Sequence, residues 1–146
     1  MQWKEISPDV AREHKLYGFG GWLLVIWIVY LLGQISSLAN LFNMDMLLAL
    51  YGSKFIAITS IALGFILALP FLILAPMKHP AMPRLTKLSI WASFALGSII
   101  SVFALSFSMF LMAAGMALGW AVLLTLYLNR SRRVNLTYLH RIPTDV

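Results

Sequence analysis

Hydrophobic positions along this chain gather into long runs separated by short polar breaks, and the longest unbroken stretch lies between Lys87 and Arg130. The 42 residues from 88 to 129 contain no Asp, Glu, Lys, Arg or His. A helix crossing a hydrocarbon core of about 30 Å needs about 20 mainly apolar residues at 1.5 Å rise each. The stretch therefore predicts two spanning helices, roughly 85–104 and 109–128. A tight turn near Leu105–Ser108 makes them an antiparallel hairpin. Two earlier runs predict spans at roughly 16–38 and 53–75, the second containing Pro70. A proline there removes one backbone donor and is expected to kink the helix, which a bilayer tolerates where neighbours satisfy the released carbonyl.

The breaks carry their own patterns. Ser7-Pro8-Asp9 reads as a helix start: an N-cap, a proline at the first helical position and an acid near the positive end of the dipole. It predicts a short amphipathic N-terminal helix on the membrane surface, with Trp3 and Ile6 dipping into the interface. Between spans one and two, Asn43 can cap a helix, Asp45 suits its first turn and Gly52 can end it. Its body is nearly all apolar: Met44, Met46, Leu47, Leu48, Leu50 and Tyr51. Too short to cross, it is expected to lie along the interface or against a partner. Pro76, Pro80 and Pro83 predict a non-helical connector over 76–84, carrying Lys78, His79 and Arg84. Ser37-Leu38-Ala39 would suit a signal-peptidase site, but a signal core is about 7–15 residues and this run exceeds 20, so an uncleaved first span is expected. The predicted fold is all-α integral membrane. One domain over 1–146 forms a four-transmembrane-helix bundle, with a short apolar interfacial helix between spans one and two and a basic tail over 129–146.

Composition agrees: 61% hydrophobic residues, 11% charged and a mean hydropathy of +0.86 belong to the membrane class. The absence of cysteine excludes disulfides and thiolate ligation. The distribution of the +6 net charge matters more than its size. Ten of the 11 Lys and Arg residues fall in the N-terminal segment, the 76–87 connector and the tail; only Lys54 falls on the opposite side. Short loops with that bias predict both termini in the cytoplasm. Nucleic acid is not an expected partner, because the basic residues form membrane-proximal clusters with no recognition fold behind them.

No acid, base or histidine lies well inside any span, which argues against proton-coupled transport and against haem ligation at membrane depth. Asp9, Glu13, His14, His79 and His140 are the only candidates for acid–base or metal work, and no spacing among them matches a ligand or triad motif. They read as solvated loop residues, so neither catalysis nor a cofactor is expected. Gln34 is the most polar residue well inside span one and reads as interhelical glue, for on the order of 1 kcal/mol, or as part of a polar ligand path. Ser89, Ser93, Gly97 and Ser101 recur every four residues in span three, and span four carries Gly115-x-x-x-Gly119. Such faces let helix backbones approach, and the expected use is spans three and four packing on each other, with a docked partner as the alternative. Met109, Met112 and Met116 form a further helical stripe, which suits adaptable contacts with a partner as well as ordinary packing or lipid-facing surface. Arg130, Arg132 and Arg133, with Arg84 and Lys87, are positioned to meet anionic phospholipids, at about 1 kcal/mol each. Simple positive-inside anchoring is the favoured explanation for them over specific lipid recognition. The sequon Asn135-Leu136-Thr137 reads as chance on the cytoplasmic side.

Gly20-Gly21-Trp22-Leu23, with Gly18 before it, and Tyr127-Leu128-Asn129-Arg130-Ser131-Arg132-Arg133-Val134, followed by Thr137-Tyr138, form a pair of motifs. With four spans in this length, the chain resembles the bacterial membrane family catalogued as domain of unknown function 2569. The resemblance implies a multi-pass protein of the bacterial inner membrane with cytoplasmic termini, and brings no activity or catalytic residue. It places both motifs at the same membrane face, where Gly20 and Gly21 would let the Arg132–Arg133 segment fold back onto the start of span one. The expected function is a non-catalytic accessory or scaffold subunit of a larger membrane complex. The alternative is a small homo-oligomeric transporter or lipid-handling protein for a neutral or amphipathic ligand, with Gln34 and the serines of span three lining its path. An enzyme is a distant third.

Overall fold

The computed structural model describes residues 3–144. In chain order the elements are strand β1 (Trp3–Glu5), helices α1 (Pro8–Glu13), α2 (Trp22–Ala39), α3 (Met44–Tyr51), α4 (Lys54–Leu74), α5 (Met82–Ala104), α6 (Phe107–Arg130) and α7 (Arg132–Leu139), and strand β2 (Arg141–Pro143). A 3-10 turn, Asn40–Phe42, extends α2. Four of these helices, α2 with its extension, α4, α5 and α6, are long and apolar enough to cross a membrane.

Helix α5 lies between α4 and α6, and α2 packs on α4. Strands β1 and β2 pair at one end of the bundle, the terminal end; α3 and the α5–α6 turn lie at the other, distal end. Helix starts follow local chemistry. The Ser7 side chain accepts from the Val10 N–H, with Pro8 and Asp9 in the first turn of α1. Gly52, at φ 67°, ends α3 in the left-handed conformation, while Asn43 makes no side-chain cap. Pro70 lies inside α4, which stays helical on both sides of it.

Several expected boundaries are corrected. Span one begins at Trp22, not near Leu16, because Gly18 (φ 116°) and Gly21 (φ 59°) hold the chain in conformations no helix uses. Met82, Pro83 and Arg84 belong to the first turn of α5, where proline's missing N–H costs nothing, rather than to the connector. Trp3 is not on a surface helix. It belongs to β1, which pairs antiparallel with β2 in the register Trp3–Pro143, Lys4–Ile142, Glu5–Arg141.

The tail folds back onto Gly20 and Gly21 through Arg133 as expected, but it does so as a buried helix rather than as a simple basic tail. Helix α7 buries Val134, Asn135, Leu136, Thr137 and Tyr138, more consecutive residues than any of the four long apolar helices. Ser131 ends α6 and starts α7, its hydroxyl accepting from the Val134 N–H. The Asn135 amide donates to the carbonyls of Asn129 and Ser131, both at 3.0 Å, so the Asn129 carbonyl near the end of α6 is satisfied and the Ser131 carbonyl, which also accepts the Asn135 backbone N–H, gains a second donor. That amide nitrogen is thus occupied and buried, and the Asn135 sequon is not presented for modification.

The core gathers at the terminal end. Val134 and Tyr138 pack from below against Leu23, Phe71, Met82, Leu124 and Leu128. The buried residues of α6 are Ala121, Leu124 and Leu128, all in its second half. Those of α5 lie between Met82 and Ile90. Among the described residues the helices share no comparable cluster toward the distal end. There Leu47 alone of the α3 residues is buried, while Met46 and Leu50 face outward.

Candidate functional site

Two features follow from this uneven packing: a built junction at the terminal end and an open polar groove in the distal half. At the junction, the loop before α2 receives α7. The Gly18 N–H donates to the Thr137 hydroxyl at 3.0 Å, and the Gly18 carbonyl accepts a long contact (3.4 Å) from the Arg133 guanidinium. A β-carbon at Gly20 or Gly21 would lie 3.4 Å from that guanidinium, so Arg133 rests directly on the two glycines. The Tyr138 hydroxyl donates to the Ala75 carbonyl at 2.7 Å, and the Trp27 indole donates to the Leu72 carbonyl at 3.0 Å, closing the end of α4. This junction satisfies backbone groups. It offers no unoccupied chemistry.

The groove is different. A cavity of about 190 Å³ opens between α4 and α5, with Ser60 and Gly64 on one wall and Ser93, Gly97 and Ser101 on the other. A second cavity of about 170 Å³ runs toward α2, where it meets Gln34 and Ser37. The two share Tyr51, Ser60 and Gly64, so α3 roofs both through Tyr51. Helical spacing produces this arrangement: residues four apart share a face, so Ser93, Gly97 and Ser101 line up opposite Ser60 and Gly64. Nothing lies within 4 Å of where a β-carbon would stand on Gly64 or Gly97. Ser60 back-bonds to the Ile56 carbonyl at 2.7 Å. Among the described residues, the side chains of Gln34, Ser37, Ser93 and Ser101 have no hydrogen-bond partner. The groove is neutral, since every group that lines it is uncharged.

The remaining expected site residues are dispersed. Gly115 and Gly119 are exposed with nothing within 4 Å, on the outer face of α6 with Met109, Met112 and Met116. Their expected use in packing span four on span three is corrected. The two helices meet instead through Ile90, Ala121 and Leu124 in the shared core, with Trp91 donating to Thr125 and Lys87 donating to Asn129. The basic set divides: Arg84, Arg130 and Arg132 are exposed, while Lys87 and Arg133 are engaged within the fold. In the short helix Met46 and Leu50 are exposed, Met44, Leu48 and Tyr51 half-buried. His14 and His79 each accept a nearby backbone N–H through Nδ1, and His140 ends α7 at φ 50°. Among the described residues no three His, Asp or Glu side chains approach closely enough to hold a metal ion.

Sequence reasoning singled out Gln34, Ser93, Gly97 and Ser101 but not Ser60 or Gly64. Those two also stand four apart, the signal that would have found them. No known protein family, curated protein or solved structure matches the chain.

Proposed function

We propose that the protein is a non-catalytic accessory subunit of a larger complex in a bacterial inner membrane, its termini cytoplasmic, and that the groove between α4 and α5 receives a transmembrane helix of the partner. One observation carries this reading: Gly64 and Gly97 leave room on both walls while Ser93 and Ser101 lack hydrogen-bond partners. Small residues admit a helix closely, and a polar side chain facing hydrocarbon gains on the order of 1 kcal/mol from a partner across the interface. The ten basic residues assigned to the terminal end, against Lys54 at the start of α4, support the orientation. The resemblance to the uncharacterised bacterial family supports the membrane assignment and is part of the proposal.

Native mass spectrometry of protein extracted gently from its own membrane tests this. A stoichiometric heteromeric partner is expected with the wild type and not with Gly97→Leu, whose side chain enters open space and leaves the bundle folded. Wild-type protein without a heteromeric partner would end this reading.

A second reading is favoured by the arm of the groove that reaches Gln34 and Ser37. There the protein is a homo-oligomer that binds a neutral amphiphile through hydroxyl and amide groups. A co-extracted uncharged lipid on a homo-oligomer, lost in Gln34→Leu, would establish it. Unchanged lipid in that variant would count against it.

A further inference from the structure

The basic residues do not act only at the membrane flanks. A cavity of about 220 Å³ opens where the segment after α1, the start of α7 and β2 come together. His14, Arg132 and Arg141, one from each element, line it. We propose that this cavity is an anion site that takes a phosphate group carried on a small organic body, independently of the groove between α4 and α5.

Charge is the first argument. Three basic side chains from separate elements converge, and among the described residues the one carboxylate paired with them is Glu5, 2.8 Å from Arg141. Both partners of that pair are well exposed, so it offsets the field only weakly. The donors are also arranged. The Nδ1 atom of His14 accepts the Leu16 N–H at 3.1 Å, so the neutral ring carries its proton on Nε2 and can donate it. Arg141 is held in the strand pair opposite Glu5, and Arg132 is fixed as the first residue of α7. Two guanidinium forks lining one cavity suit the several oxygens of a phosphate better than a single carboxylate.

Size and walls supply the second argument. A cavity of roughly 150 Å³ accommodates a benzene-sized guest, and this one is larger. Leu16, Leu136, Ile142 and Pro143 complete the lining, and inorganic phosphate alone would leave that apolar surface wet. A phosphate ester with a short carbon skeleton matches both parts. Such a group comes either from a phospholipid headgroup or from a soluble phosphate ester.

The test uses the full chain in mild detergent, with phosphatidic acid, phosphatidylcholine and glycerol 3-phosphate as probes, and Arg132→Gln beside Arg130→Gln. Arg130 is exposed and outside the cavity lining, so it reports general charge. If the headgroup is the source, native mass spectrometry retains phosphatidic acid over phosphatidylcholine. Arg132→Gln then weakens retention at least about tenfold, the loss of one charge-assisted hydrogen bond, while Arg130→Gln does not. If a soluble ester is the source, glycerol 3-phosphate raises the thermal midpoint of the wild type and of Arg130→Gln but not of Arg132→Gln. Should Arg132→Gln not fold, His14→Gln takes its place. Absence of both effects, or equal weakening by the two arginine variants, overturns the proposal.

Discussion

Tyr138→Ala is expected to destabilise the protein by about 3–5 kcal/mol, the range for removing a large buried aromatic side chain. Tyr138 is 1% exposed and packs in the cluster with Leu23, Phe71 and Val134, so truncation opens a void that four helices border. It also leaves the Ala75 carbonyl without its side-chain donor. Tyr138→Phe separates these effects by keeping the ring and losing the hydroxyl, and about 1 kcal/mol is expected from the hydrogen bond alone. Unfolding in mild detergent measures both, and limited proteolysis of the tail reports whether α7 is released. Equal losses in the two variants would mean the ring's packing contributes nothing. Burial, with smaller contributions from Tyr127 and Tyr17, raises the affinity of the Tyr138 phenol for its proton. A raised value stabilises the fold at every pH below the ordinary phenol value of about 10, and the contribution is lost as pH rises above it. The hydrogen bond to Ala75 is therefore indifferent to pH through the neutral range, and the expected alkaline loss is absent in Tyr138→Phe.

The four long apolar helices are legible in the sequence because a helix long enough to cross a membrane needs a run of about 20 residues of one kind, and the stretch from 88 to 129 supplies two in succession. Helix α3 is legible for a local reason, since Gly52 supplies the left-handed end that its eight residues need. The tail is not legible in the same way. Asn135 and Thr137 read as polar surface until their partners are known, and those partners are the Asn129 and Ser131 carbonyls and the Gly18 N–H. No sequence period reports a side chain paired with a backbone group 119 residues away. The three-residue strands are too short to show alternation, and their pairing spans almost the whole chain. In the groove, the stripe on α5 is visible in the sequence but its opposite wall is not. Spacing identifies a face of a helix without saying which neighbour that face meets. The exposed Gly115 and Gly119 show the same limit from the other side.

Gly21→Leu is expected to cost about 3 kcal/mol, from two sources that other substitutions separate. Gly21 sits at φ 59°, ψ −141°, a backbone conformation close to one that is essentially glycine's alone. Any β-carbon there carries strain of about 1–3 kcal/mol. Gly20 has no such backbone constraint, yet its β-carbon would meet Arg133 at the same 3.4 Å. Gly20→Ala is therefore expected within about 0.5 kcal/mol of wild type, while Gly21→Ala shows the strain by itself. Leucine at position 21 adds the second source, because its longer side chain must push the guanidinium away from the Gly18 carbonyl. Combining Gly21→Leu with Arg133→Ala should recover that second part and none of the first. Thermal unfolding of the four variants distinguishes the outcomes. If Gly20→Ala costs as much as Gly21→Ala, the contact with Arg133 rather than backbone conformation limits the junction. If Gly21→Leu is as stable as wild type, the loop before α2 does not hold α7 in place, and the tail is anchored instead by the burial of Val134 and Tyr138 and by the pairing of β1 with β2.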